Sequence, residues 1–130
     1  MRTFQLNKLV RDNIPDTIKA QGQIPVVRTL EGNELDLARR EKVREEAAEF
    51  AESGEPKELA DLLEALGVRA VDSIAGSDVQ QLQDARRVEM GGFDKGLYVE
   101  TVSLPDDNEW MQYYLDNPDR FPEVKQKIKD

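Results

Sequence analysis

The chain has 130 residues, a net charge of −9 and a charged fraction of 35%, and it contains no cysteine and no histidine. This length fits one domain with a modest core. The acidic balance argues against a nucleic-acid polymer or an anionic membrane as a partner, because both require a positive surface. The missing residue types exclude disulfides, thiolate nucleophiles, Ser-His-Asp triads and zinc sites built on sulfur or imidazole. A bound metal must therefore have oxygen ligands, which suit Mg²⁺, Mn²⁺ or Ca²⁺.

No run of apolar residues approaches the length of a membrane span. The first ten residues, MRTFQLNKLV, lack the apolar segment of a signal peptide. We therefore expect a cytoplasmic protein without a membrane partner. The apolar fraction of 38% is low, which fits helices that share a core with a partner subunit.

The first predicted element is a short helix. Apolar residues recur at helical spacing, with Asp12 or Asn13 as the N-terminal cap, Pro15 in the first turn and Gly22 at the end. The segment PVVRTL at residues 25–30 then predicts a short strand.

A helical hairpin follows. Its first helix is expected from about residue 33 to residue 52, and Ser53 and Gly54 form the turn. Pro56 opens the second helix, which is expected to run to about residue 75.

The second half of the chain predicts a further helix and a second strand. Ser77 and Gln80 form a capping box that opens the helix, and Gly91 and Gly92 end it. The segment LYVETVSL at residues 97–104 is rich in β-formers and is expected to pair with the first strand as a small ribbon.

The tail after Pro105 is expected to be helical in two pieces. It carries aromatic residues between charged ones, namely Trp110, Tyr113, Tyr114 and Phe121. A lid, a dimer contact and a cap on the bundle are all compatible with this pattern. The predicted fold class is mainly α with a minor β element.

The helical hairpin is unusually acidic. Residues 45–61 carry seven carboxylates and a single basic side chain. Like charges three or four residues apart on a helix destabilise it by about 0.2–0.5 kcal/mol per pair. Folding at the turn sets Glu46 opposite Asp61. It also sets Glu49 opposite Glu58, all on the shoulders of apolar helix faces. The carboxylates are either a solvated acidic face or ligands that converge on divalent cations.

Three segments together resemble a known family. EExxE at residues 45–49, followed by ExxD at residues 58–61, is similar to the metal motif of the all-α nucleoside triphosphate pyrophosphohydrolases, the MazG-like superfamily. NKLVRDNIP at residues 7–15 and RRVEMGGFDKG at residues 86–96 resemble its phosphoribosyl-ATP pyrophosphohydrolase-like branch. The resemblance covers roughly residues 4–104.

The resemblance implies a MazG-like antiparallel helical bundle with a small β-ribbon, completed by formation of a homodimer or higher homo-oligomer. It makes residues 1–104 the pyrophosphohydrolase domain and residues 105–130 its C-terminal helical extension. It also implies Mg²⁺ or Mn²⁺ as cofactor, held by Glu46, Glu49, Glu58 and Asp61. Glu45 would be catalytic by orienting the attacking water, with binding of a second ion or plain solvation as alternatives.

Basic residues are expected to complete a site for phosphate groups, because a triphosphate and an acidic chain otherwise repel each other. The candidates are Lys8, Arg11, Arg86 and Lys95. For Lys8 and Arg11 the alternative is an ordinary ion pair with the acidic hairpin. For Arg86 the alternative is a side chain that extends to solvent.

The function that the resemblance implies is metal-dependent hydrolysis of a nucleoside triphosphate, natural or noncanonical, to a monophosphate and pyrophosphate in a house-cleaning role. One alternative is a regulatory module that binds nucleotide and metal with little turnover, and another is a structural helical dimer. A third is the phosphoribosyl-ATP pyrophosphohydrolase of histidine synthesis. That enzyme has a tyrosine-histidine pair after the ExxD aspartate, where this chain has Leu62 and Leu63, which argues against it.

Overall fold

The computed structural model describes residues 1–67 and 79–125. Within these ranges the regular structure is helical, as predicted, with α1 Ile14–Ala20, α2 Gly32–Ser53, α3 Pro56–Leu66, α4 Val79–Met90 and α5 Met111–Leu115. The chain divides into two compact units, Met1–Met90 and Gly91–Asp130. None of the described helices is long and apolar enough to cross a membrane.

Helix α1 has the ends that its sequence predicts. Asn13 is the N-cap residue, and Pro15 lies in the first turn, where its missing N–H is not needed. The helix stops at Ala20, and Gly22 follows with a φ of +80°, a conformation that glycine adopts without strain.

Helices α2 and α3 form the antiparallel hairpin and pack against each other. Gly54 ends α2 in the left-handed conformation, with a φ of +64°, and its N–H donates to the carbonyl of Phe50 over 2.8 Å. The Glu55 N–H donates to Ser53 Oγ across the turn, and Pro56 then opens α3. The predicted bounds of α2 and the predicted turn are therefore confirmed.

The second hairpin helix is shorter than predicted. Helix α3 ends at Leu66, and the Gly67 N–H closes its last turn by donating to the carbonyl of Leu63. The backbone φ at residue 67 is positive, at +28°, and a positive φ favours glycine over residues with a side chain. A continuous helix through Gly67 is therefore wrong, and the remainder of the predicted span, like Ser77 of the capping box, lies outside the described residues.

The β-ribbon is not seen. Both predicted strands, residues 25–30 and 97–104, lie within the described ranges, and both are irregular. Their β-forming side chains are largely exposed, including Val26 at 100% and Tyr98 at 88%. A β-forming composition makes a strand only when a neighbour supplies the ladder and covers one face.

Residues 91–125, the described part of the second unit, contain one short helix, so the expectation of two helical pieces in the tail is wrong for this part. Gly91 ends α4 with a φ of +86°, as the sequence predicts. Helix α5 carries an aromatic cluster in which the rings of Tyr113 and Tyr114 both contact Phe121, at centroid distances of 5.7 and 5.2 Å. Asn117 supports it by donating from Nδ2 to the carbonyl of Tyr113.

The described part of the chain has no buried apolar side chain. On α3 the leucines at helical spacing remain accessible, with Leu59 39%, Leu63 61% and Leu66 40% exposed. The one buried residue in these ranges is Glu46. The hairpin therefore has no hydrophobic core of its own, and the side chain that it buries is the carboxylate of Glu46.

Candidate metal and nucleotide site

Three of the predicted metal ligands come together where α2 packs on α3. Glu46 projects from α2, and Glu58 and Asp61 project from α3, with one oxygen from each lying within 4.8 Å of the others. Glu58 and Asp61 lie almost one turn apart, so one face of α3 presents both. The mirrored spacing about the turn thus brings Glu46, Glu58 and Asp61 together as the sequence predicts.

Glu46 is the least accessible of the three. It is 8% exposed, and its Oε2 atom is buried without a hydrogen-bond partner among the described residues. A buried acceptor without a partner costs about 1–3 kcal/mol, and a charged one costs more. The position of Glu46 is therefore one that an added cation would stabilise.

Glu49 lies at the edge of this group, and its side chain is exposed. The negative charge of Glu46 raises the pKa of Glu49, and the charges of Glu58 and Glu45 add to this effect. Glu49 therefore shares the electrostatic field of the cluster, although it lies outside the set of three oxygens.

The N-terminal segment ties the two helices together through ion pairs. Lys8 Nζ lies 3.5 Å from Oε1 of Glu45 on α2, and Arg11 Nη2 donates to Oδ1 of Asp61 on α3 over 2.8 Å. Both side chains were predicted to bind phosphate, with an ion pair to the hairpin as the alternative. The ion pairs are the arrangement that the structure contains.

Lys42 is a member of the site that the sequence analysis missed. Its Nζ lies 3.2 Å from Oε1 of Glu46 and 3.5 Å from Oε1 of Glu45, and its side chain is only 18% exposed. The signal was available, because residues three and four apart on a helix are neighbours and opposite charges at that spacing attract.

The ion pairs leave the cluster with an excess of negative charge. The five carboxylates Glu45, Glu46, Glu49, Glu58 and Asp61 face three paired cations, Lys8, Arg11 and Lys42. Two negative charges remain without a matching cation among these partners. One divalent ion carries the charge that would balance them.

A cleft of about 580 Å³ opens beside the cluster. Its walls are residues 9–14 of the N-terminal segment and parts of α2 and α3, and both Glu46 and Asp61 reach it. Arg39 and Lys42 also line it. Its volume lies in the range of small-molecule sites, about 300–1,000 Å³. Arg39 too was missed, although it stands one helical turn before Lys42.

The other two predicted phosphate ligands are not brought to the cluster by any described contact. Arg86 on α4 donates from Nη2 to Sδ of Met90 over 3.3 Å, and its side chain is exposed. This contact lies on its own helix, as the solvent-facing alternative expects. Lys95 belongs to the second unit and is exposed, so its role in phosphate binding stays a prediction.

Comparison with known proteins adds little to this geometry. No protein-family model and no solved structure matches the chain. A curated protein of Mycolicibacterium smegmatis (strain ATCC 700084 / mc(2)155), described as an uncharacterized protein, is 50% identical to it over 43 residues. The match covers 33% of this chain and 44% of that relative, so the chain spans less than half of the relative's length.

Proposed function

We propose that this protein is a Mg²⁺- or Mn²⁺-dependent nucleotide pyrophosphohydrolase of the MazG-like type. The observation that carries the proposal is the meeting of Glu46, Glu58 and Asp61 oxygens within 4.8 Å across two antiparallel helices. The Oε2 atom of Glu46 is buried without a hydrogen-bond partner among the described residues, which independently supports a cation at this point.

The donor atoms fit a hard divalent cation. All of them are carboxylate oxygens, the ligands that Mg²⁺ and Mn²⁺ prefer, and the chain has no cysteine thiolate or histidine imidazole that would select zinc. Glu46, Glu58 and Asp61 would hold the ion, and Glu49, the fourth predicted ligand, lies outside this set of oxygens but adds negative charge beside it.

The acidic site needs such an ion before it can accept a triphosphate. When bound, Mg²⁺ or Mn²⁺ supplies charge neutralisation and Lewis-acid polarisation of phosphoryl oxygens. The chain's own residues do the rest. Lys8 and Lys42 both hold Oε1 of Glu45, which fixes this carboxylate beside the cluster, where it would orient a water for attack on the phosphoanhydride.

The test is an assay of the whole chain with Mn²⁺ and a panel of natural and damaged nucleoside triphosphates. Pyrophosphate and orthophosphate are followed separately. We expect pyrophosphate with an equal amount of monophosphate, and Glu58→Gln should abolish it. Glu52→Gln is the matched control, because Glu52 is an exposed carboxylate on the neighbouring helix outside the cluster. Orthophosphate without pyrophosphate would overturn the assignment of the cleaved bond.

One observation favours a second candidate, a structural ion-pair network without a metal. Three cations already contact the carboxylates, and Arg11 occupies Asp61, one of the proposed ligands. This candidate predicts no change in melting temperature with Mn²⁺. A site filled at about 100 times its dissociation constant should instead add about 2.7 kcal/mol to the free energy of unfolding. Mn²⁺ stabilisation with nucleotide binding but no product would indicate a regulatory binding module.

We further propose that the active form is a homodimer in which α3 contributes to the interface. Leu59, Leu63 and Leu66 recur at helical spacing and are exposed, and no apolar side chain in the described ranges is buried. Covering these leucines with a second copy would supply the core that the hairpin lacks. Sedimentation equilibrium of the whole chain tests this proposal, and a monomer at micromolar concentration would contradict it.

A further inference from the structure

We infer that Lys42 and Arg39 form the subsite for the phosphate groups of the substrate beyond the metal cluster. This inference rests on the proposed function and deepens it. It assigns anion binding to two residues of α2, in addition to the N-terminal residues that the sequence indicates for this role.

The first support is position. Arg39, Lys42 and Glu46 follow one another at spacings of three and four residues, so they share one face of α2. All three line the same cleft. Lys42 and Arg39 lie about 6 and 10 Å from Glu46 along the helix axis. A chain of phosphates that starts at Glu46 and extends toward the N-terminus of α2 therefore meets Lys42 and then Arg39.

The second support is the chemistry of Lys42. Its ammonium group is mostly shielded from water and balances the charges of Glu45 and Glu46. A divalent ion at Glu46 would take over one of these two partners, and the other, Glu45, is shared with Lys8. Lys42 would then be a shielded cation at the wall of an open cleft, where a phosphate oxygen is its natural partner.

The third support is that Arg39 is partly shielded from solvent and has no polar partner among the described residues. Its side chain is half-buried in the cleft wall, and no ion pair or hydrogen bond to it is seen within residues 1–67 and 79–125. A guanidinium group offers paired N–H donors that match two phosphate oxygens at once. The neighbouring Arg40 is exposed and does not line the cleft, so the two arginines differ in surroundings but not in charge.

The experiment uses the whole chain, Mn²⁺ and inorganic triphosphate as probes, and calorimetric titration as the readout. Mn²⁺ is titrated first by itself, and triphosphate is then titrated with Mn²⁺ in excess. The variants are Arg39→Gln, Lys42→Gln and the control Arg40→Gln. Thermal melting without ligand identifies any variant whose fold has changed.

Arg39→Gln should weaken triphosphate binding about 10-fold or more, the usual loss for a charge-assisted contact, and leave Mn²⁺ binding unchanged. Lys42→Gln should weaken triphosphate binding similarly. Its Mn²⁺ affinity should stay equal or rise, because a cation that competes for Glu46 has been removed. Arg40→Gln should change neither affinity. A loss of triphosphate binding without a loss of Mn²⁺ binding would not arise from a general loss of structure.

Equal triphosphate affinity in Arg39→Gln and Arg40→Gln, with Mn²⁺ binding intact, would overturn this inference and leave the proposed function standing. Failure of the unmodified chain to bind Mn²⁺ would overturn the proposed function, and the inference would fall with it. The two failures are therefore distinguished by the first titration.

Discussion

The hairpin formed by α2 and α3 has a carboxylate region and a leucine region. The carboxylate of Glu46 is shielded from solvent and the leucines are exposed to it, which is the reverse of what their polarity favours. At the carboxylate cluster Glu46 is 8% exposed, whereas Leu63 on the far side of α3 is 61% exposed. Asp61 and Leu63 lie about 160° apart around α3, so one helix presents both regions. A self-contained domain buries its leucines and solvates its carboxylates. This inversion among the described residues supports the proposals of a cation at the carboxylates and of a second copy at the leucines.

The largest expected effect falls on the polar region. Glu46→Gln removes one of the three proposed ligands, and we expect Mn²⁺ affinity to fall at least about 100-fold, because changes even in residues that only orient metal ligands cost about 10- to 100-fold. Titration calorimetry measures it. Glu52→Gln, which removes the same charge from an exposed position of α2, should leave the affinity unchanged. Similar losses of Mn²⁺ affinity in both variants would mean that the carboxylates attract the ion only through their overall negative charge and do not coordinate it.

The next effect falls on the apolar region. In the proposed dimer, Leu63→Lys would remove the burial of one leucine from each copy, worth about 1.5–3 kcal/mol per side chain, so the dimer should dissociate at a concentration at least about tenfold higher. Sedimentation velocity over a concentration series detects the shift. Val88→Lys, on α4 at 89% exposure, is the control and should not alter association. An unchanged dimer in Leu63→Lys would remove α3 from the interface.

A smaller effect is expected at the turn that joins the two regions. The φ of Gly54 is +64°, and a Cβ added there would meet no atom within 4 Å. Gly54→Ala should therefore lower the free energy of unfolding by about 1 kcal/mol through backbone strain alone. Urea denaturation measures it. A much larger loss would mean that the turn has contacts beyond its own backbone.

The smallest effect is a dependence on pH. The charge of Glu46 is the largest cause that raises the pKa of Glu49 above its usual value of 4.5. Because the folded state then binds this proton more strongly than the unfolded state, the contribution of Glu49 to stability is present below pH 4.5 and is lost as pH rises through the raised value.

Glu49→Gln should consequently raise the melting temperature of the metal-free protein at pH 7 and have little effect at acid pH. Thermal melts across this pH range provide the test, with Glu52→Gln as the control. The same variant should weaken Mn²⁺ binding. A variant less stable than the unmodified chain at pH 7 would show that repulsion within the cluster is already relieved.

Much of the local structure was predictable, because short-range signals fix it. The predicted bounds of α2 match within a residue. A glycine such as Gly54 is a strong signal for the end of a helix, and a proline such as Pro56 is a strong signal for the start of the next one. The strands at residues 25–30 and 97–104 failed because β-structure depends on a neighbour that composition does not supply. The end of α3 at Gly67 was signalled by that glycine, but the apolar spacing continues past it to Ala70 and Ile74, which predicts a longer helix.

For the candidate site, the sequence by itself determined the meeting of three of the four carboxylates expected there, and Glu49 is the one that lies outside the set. Equal spacing on the two sides of a tight turn places Glu46 with Glu58 and Asp61, and this follows from helix geometry alone. Only the tertiary structure decided how those charges are balanced. The ion pairs of Lys8 and Arg11 join positions far apart in the chain, and the burial of Glu46 depends on helix packing. Such contacts carry no local signal, because they arise only when the N-terminal segment and both hairpin helices are already in place.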